Sequence, residues 1–484
     1  MSTPLHYRSA TEILDLFATR ELSPLEYLEA LIERAENVNP AINAWSEDLY
    51  DDARTAAIVA GDRYLGKGEP PRALEGLPVA AKEKHAIKGR SLTEGSMTKQ
   101  GDLATENAPV IDRVLAAGGI IHARTTTPEF SIALFTHTPM WGVTRNPWNL
   151  DFTPGGSSGG AGAALAAGMT PLATASDIGG STRGPAGFTG TVGFKAPYGR
   201  IAGTGPMTMD YYRGDGPMAR TVDDAILFAN TLIGPDPRDH VSLRPAQLLP
   251  TDYRDVAGMR IALTITAGDF VVDPEVEANT RAVAEALTEA GAHVEEVTLP
   301  WTREQLRIGV TGHFAHMMAA MADRASGGKL ELMSDYAAGF LTVMREVTKS
   351  QVVPVFTSAE IETTMQRQLA EAMHGFDALI CPTAGTTGFP AGDSLLDGHD
   401  IAGTHLDLAA EAMLTLPFNI ANRCPVLNVP SGHARNGVPT GVQIVGHTYD
   451  DPTVFRIGKA IEVARPWAYT EQHQPSFTAA AVTG

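Results

Sequence analysis

Residues 153–187, TPGGSSGGAGAALAAGMTPLATASDIGGSTRGPAG, constrain this chain more than any other stretch. Glycine clusters at Gly155–Gly160 and Gly179–Gly180 hold serines and bracket a segment of small residues. Glycine lets the backbone take positive φ and lets other groups approach closely. A backbone that turns sharply beside hydroxyls is what a nucleophile and an oxyanion site need.

Other glycine-loop chemistries fit less well. A phosphate-binding P-loop requires G-x-x-x-x-G-K-[ST], and no Gly-Lys pair here is followed by Ser or Thr. Gly156-x-Ser158-x-Gly160 does match the G-x-S-x-G nucleophile elbow. That pattern is short, and it needs an acid and a histidine downstream, for which His433 and His447 are available. Ser96-x-x-Lys99 matches S-x-x-K, but neither S-D-N nor K-T-G accompanies it. Ser158 also reads as the N-cap of the alanine-rich helix that follows.

Short apolar strands alternating with helices point to an α/β sheet. Ser9-x-x-Glu12 and Ser23-Pro24-x-Glu26 read as capping boxes opening two N-terminal helices, the second ending at Asn39-Pro40. Leu77–Ala81 is an apolar run ending at Lys82, consistent with a buried strand. Ser158–Gly168 reads as a helix and Pro171–Ala175 as the next strand. Thr302–His374 reads as a mainly helical layer over the sheet, and strands return at Ala378–Cys381, Val426–Val429 and Val442–Val445. The expected organisation is one domain over 1–484: a helical part at 1–70, a core at 71–230, a mostly helical substrate side at 235–375 and a return to the sheet at 376–484.

Composition excludes several partners. The net charge of −19 argues against nucleic acid and anionic membranes. No 18-residue apolar run is present, so no membrane span is expected. The start, MSTPLHYRSATEILDLF, lacks a charged region followed by an apolar one, so no signal peptide is expected. Cys381 and Cys424 are the only cysteines; they form no metal-ligand spacing or disulfide framework, and a cytoplasmic setting is expected.

At GGSSGG, DIGGSTRGPA and GFKAPYGR, preceded by LPVAAKEK, the chain resembles the amidase signature family. Ser181 lies 24 residues after Ser157, the interval that family shows. SPLEYLEALIER, NPWNLDFTPGGSSGG, GPMARTVDD, FDALICPT and GVPTGVQIVG extend the resemblance over nearly the whole chain. It implies a large mixed twisted β-sheet flanked by helices on both faces. It further implies that Ser181 is the acyl-enzyme nucleophile, Lys82 the base and Ser157 the bridging serine, whose preceding peptide is cis. Ile178, Gly179 and Gly180 match the oxyanion loop, and Asp177 and Arg183 match charged residues that brace it. No metal and no cofactor is implied.

The implied activity is hydrolysis of the C–N bond of small or aryl amides, with carbamates (urethanes) and esters as further candidates and a homodimer allowed for. The chemistry is coherent: serine needs a base to take its proton, and lysine serves only when burial keeps it neutral. Two alternatives remain: the amidotransferase A subunit that works in Gln-tRNA or Asn-tRNA formation, and an α/β-hydrolase-type esterase using Ser158. The stretch 208–217 lacks the S-L-D-Q-x-G-P run associated with the amidotransferase. Glu83-Lys84 stands where the family often has Asp-Asn, Lys195-Ala196-Pro197 replaces a common Lys-Pro-Thr, and Arg423 stands where a small residue is expected. These departures bear on substrate preference. The segments 130–141, 204–213 and 312–341 are the candidate pocket walls.

Overall fold

A computed structural model of the protein describes residues 3–467, 469 and 473–477. The ends of the expected 1–484 domain, at 1–2 and 478–484, lie outside the described residues.

One mixed sheet of 11 strands organises the chain. From edge to edge it runs Trp45–Asp48, Ile120–Thr125, Pro78–Lys82, Leu172–Asp177, Gly214–Ala219, Val192–Lys195, Val426–His433, Pro439–Gly446, Ala378–Pro382, Arg260–Leu263 and His293–Glu296. Pro78–Lys82 pairs in parallel with both Ile120–Thr125 and Leu172–Asp177. Lys82 and Asp177 therefore end their strands at the same edge of the sheet, where open α/β sheets bind ligands. Leu172–Asp177 pairs antiparallel with Gly214–Ala219, with Asp177 opposite Gly214. That register brings Arg213 to the same edge.

Period-two alternation assigns each strand side chain to a face. Val79 and Ala81 join one large core with Leu172, Phe194, Ile261, Ile380, Val442 and Ile444. Helices Pro109–Ala116, Val222–Leu232, Pro274–Glu289 and Asp451–Ala464 cover that face. Ala80 joins the other face, with Ala173, Ala175 and Met218, under helices Gly159–Ala166 and Arg183–Thr189. Small residues let these two helices approach closely. A Cβ on Gly160 would lie 2.6 Å from the backbone N of Thr126 and 2.5 Å from its Oγ1.

The structure corrects two expectations. The helix from Pro24 does not end at Asn39-Pro40 but runs to Ile42 with Pro40 inside it. It stops where Asn43 turns left-handed (φ 53°) and donates its N–H to Asn39 O, while the Asn39 side chain accepts from Ala44 N at 2.7 Å. The 302–374 region is also not a single layer. Its outer helices, Arg303–His316 and Val355–Ala372, pack on the sheet through Leu306, Met365 and Leu369. Its inner helices, Met318–Ser326 and Asp335–Ser350, instead cap the loop at 130–135. Tyr336 ties them there, accepting from Glu129 N at 2.8 Å and donating to His137 O at 2.9 Å.

Gly160→Ala tests the close approach. Helix propensity favours alanine by about 1 kcal/mol, whereas overpacking costs about 1–3 kcal/mol. Two of the three colliding atoms are backbone and cannot yield cheaply, so the expected net result is a destabilisation of up to about 2 kcal/mol in urea unfolding.

Candidate active site

Lys82 ends its strand with the side chain wholly buried among hydroxyls. Its Nζ lies 2.7 Å from Ser157 Oγ, 2.9 Å from Ser158 Oγ and 3.2 Å from Ser176 Oγ. Burial pushes its pKa well below the usual lysine range, and the positive charge of Lys84 pushes the same way. No carboxylate pairs with it among the described residues. The neighbouring residues fix the strand end. Lys82 N donates to Thr174 Oγ1 at 3.0 Å. Glu83 accepts from Thr93 N at 2.7 Å and Glu94 N at 2.8 Å. Buried Arg124 donates to the Glu83 carbonyl.

The two glycine clusters have different geometries. Gly155 takes a positive φ of 84°, and the Gly156–Ser157 peptide is cis. A Cβ on Gly156 would lie 2.3 Å from Phe135 O, so only glycine fits. Ser158 stands at the N-cap position of Gly159–Ala166 but makes no capping hydrogen bond. Its hydroxyl is turned to Lys82 instead, which corrects the expectation that it caps the helix. His433 and His447 make no contact with it: His433 packs against Trp148, and His447 bonds Phe376 O at 2.8 Å.

The second cluster wraps around one carboxylate. Asp177 accepts from Gly180 N at 2.9 Å, Thr182 N at 3.2 Å and Arg183 N at 3.4 Å. Arg183 grips it with Nε at 3.0 Å and Nη2 at 2.9 Å, and both side chains are buried. Arg183 also donates to Thr415 O at 3.0 Å, Gln443 Oε1 at 2.6 Å and Asn419 Oδ1 at 2.7 Å. Burial alone would raise the pKa of Asp177, but the guanidinium and its hydrogen bonds outweigh it and hold the group well below the usual carboxylate range.

This wrapping separates the residues expected to form the oxyanion loop. The N–H of Gly180 is committed to Asp177, so Gly180 braces the loop and does not offer a free donor. Its φ of 112° and the 2.0 Å from its would-be Cβ to Thr415 Oγ1 require glycine. The N–H groups of Ile178, Gly179 and Ser181 have no protein acceptor among the described residues. Ser181 Oγ likewise makes no hydrogen bond there, and Ser157 and Ser181 line one cavity.

That cavity is narrow, about 30 Å³, and partly open to solvent. Each of the three candidate wall segments contributes: Phe130 and Ser131, Met207 and Arg213, Met318 and Met321. Phe130 and Ser131 both hold positive φ, at 49° and 61°. Non-glycine residues in that region concentrate at functional sites. The buried Ser158 is not part of the lining. Arg213, the last residue of the expected wall segment 204–213, and Lys84, expected to bear on substrate preference, both line the cavity, whereas sequence reasoning missed Ser176. The described residues contain no cluster of histidine, cysteine and carboxylate side chains able to hold a metal ion. No helix among them is long and apolar enough to cross a membrane.

Arg183→Met would strand the Asp177 carboxylate. Breaking a buried pair costs about 3–5 kcal/mol, and that loss is expected in chemical denaturation at pH 7. The depressed Asp177 pKa contributes stability above its unfolded value of about 3.9, which fades as pH falls towards the lower folded value. The variant is expected to lack that fade.

Comparison with known proteins follows the same residues. The family profile described as Amidase matches residues 26–455. An acylamidase of Rhodococcus erythropolis is 34% identical over 96% of this chain and 97% of its own length. The glutamyl-tRNA(Gln) amidotransferase A subunit of Chloroflexus aggregans is 32% identical over 96% of this chain and 98% of its own. The solved structure of a bacterial aryl acylamidase superposes with a TM-score of 0.88 at 31% identity, covering 96% of this chain and 98% of that one.

Proposed function

The chain belongs to the amidase signature family and hydrolyses amide bonds, and from that premise we propose that Ser181, Ser157 and Lys82 carry the reaction. Neutral Lys82 takes a proton from Ser157 as Ser157 takes one from Ser181. Ser181 Oγ then forms a bond to the amide carbon. The observation that carries this reading is the 2.7 Å contact between a buried, uncompensated Lys82 amine and Ser157, which lines the same cavity as Ser181.

The carbonyl oxygen becomes an oxyanion facing the free N–H groups of Ile178, Gly179 and Ser181. One such donor is worth about 3–4 kcal/mol in the transition state. Protonated Lys82 returns its proton through Ser157 to the leaving nitrogen, the C–N bond breaks and the amine departs. Water repeats the sequence on the ester of Ser181: it loses a proton through the same relay, attacks the acyl carbon and releases the acid. Asp177 and Arg183 hold the loop in place and exchange no proton. No metal or cofactor has a part in this scheme.

Small and aryl amides are the substrate class, supported by the likeness to the acylamidase and to the aryl acylamidase structure. Carbamates belong to the same reading, because attack at their carbonyl also expels an amine. The cytosol is its compartment, supported by Cys381 and Cys424, both buried and unpaired. Burial raises both thiol pKa values, that of Cys381 to about 12, so neither serves as a nucleophile. The likeness to the amidotransferase favours a second reading, glutamine as ammonia donor within a complex. It requires glutamine turnover that depends on partner chains.

Acetanilide and p-nitroacetanilide hydrolysis tests the assignment. Ser181→Ala is expected to abolish turnover, and Lys82→Ala to lower kcat by about 10²–10⁴-fold. Wild-type activity should fall as acid protonates Lys82, and that limb should begin below the usual lysine range because burial depresses the pKa. An inactive Ser158→Ala enzyme, with wild-type rates in Ser181→Ala, would assign the nucleophile to Ser158 instead.

A further inference from the structure

The cavity over Ser181 contains one cation without a counterion. Its charged lining residues are Lys84, Asp177 and Arg213. Asp177 is taken by Arg183. Arg213 Nη2 bonds both oxygens of Asp215, at 2.9 and 2.7 Å, and Asp215 also bonds His85 Nε2 at 3.3 Å. The other carboxylates near Lys84 are committed too: Glu94 to Lys99 Nζ at 2.8 Å and Asp210 to His313 Nε2 at 2.7 Å. Lys84 itself makes neither a hydrogen bond nor an ion pair among the described residues. Burial, and then the nearby Arg213, lowers its pKa, so the lone charge is held at a cost that an anion would relieve.

The remaining lining is apolar or hydroxylic, with Phe130, Ile178, Met207, Met318 and Met321 forming most of the wall. The chemistry of this lining suits a substrate with a hydrocarbon body and one charged end. Building on Ser181 as the nucleophile, we propose that Lys84, with Arg213 beside it, binds a carboxylate carried by the substrate, so that the preferred amides are anionic. The amine of lysine is a compact point charge suited to one end of a small acid. Lys84 stands in the Glu83-Lys84 pair, where relatives of this family often have a neutral Asn, so the preference is a property of this chain's own sequence.

A simpler role for Lys84 is to repel the proton from Lys82. That role changes the pH profile equally for all substrates, whereas carboxylate binding changes selectivity. Two matched pairs separate them: N-phenylsuccinamic acid against N-phenylbutanamide, and 4-acetamidobenzoate against acetanilide. Wild type is expected to favour the charged member of at least one pair. Lys84→Met should reduce the charged-to-neutral ratio of kcat/KM about thirtyfold or more, chiefly through KM, as removal of one partner of a buried charge pair does. Lys84→Arg should keep the preference, and Lys84→Glu should abolish it. If Lys84→Met is inactive on everything, calorimetric binding of N-phenylsuccinamic acid to Ser181→Ala and to Ser181→Ala/Lys84→Met gives the same comparison. Neutral preference in both pairs, an unchanged ratio in Lys84→Met, or equal binding by the two Ser181→Ala enzymes would overturn the proposal. Failure of wild type to hydrolyse any anilide, or turnover that survives Ser181→Ala, would instead overturn the functional reading beneath it.

Discussion

An amine buried without a carboxylate is the constraint on which the rest of this structure depends. Lys82 reaches three hydroxyls and no counterion. A protonated amine there would be an isolated buried charge, which proteins avoid by giving up the proton. Sheet register places Lys82 among the hydroxyls of Ser157, Ser158 and Ser176, and burial disfavours its charged form. The same neighbourhood decides which serine faces the cavity. Ser158 is fully buried against the amine, while Ser181 stands on the far loop at the cavity.

The second constraint is the opposite arrangement, a buried charge that is fully paired. Asp177 collects donors from Gly180, Thr182, Arg183 and Asn419, and Arg183 ties the loop to Thr415, Asn419 and Gln443 on distant segments. This network anchors the loop that carries Ser181. It also sorts the loop's N–H groups, consuming that of Gly180 and leaving those of Ile178, Gly179 and Ser181 free. Preorganised donors of this kind need no rearrangement as charge develops.

Local chemistry was the most legible part of the sequence. Ser9 with Glu12 and Ser23 with Glu26 form the expected capping boxes, because each is complete within four residues. Buried strands beside glycine appear close to where apolar runs indicate, as at Pro78–Lys82 and Leu172–Asp177. Features that depend on distant neighbours were less legible. Pro40 stays helical because Asn39 and Asn43 rearrange the exit. Ser158 abandons its capping role because Lys82, 76 residues away, competes for its hydroxyl. The lone charge of Lys84 follows from pairings among Arg213, Asp215 and His85 that only the sheet brings together.

The most direct measurement is the pH dependence of covalent modification at a single serine. A fluorophosphonate probe, followed by intact-mass and peptide mapping, reports which hydroxyl reacts and how fast. The account predicts one adduct, on Ser181, with a rate that rises through a single ionisation below the usual lysine range. That ionisation should be absent in Lys82→Ala. An adduct on Ser158, or an ionisation that persists unchanged without Lys82, would contradict it.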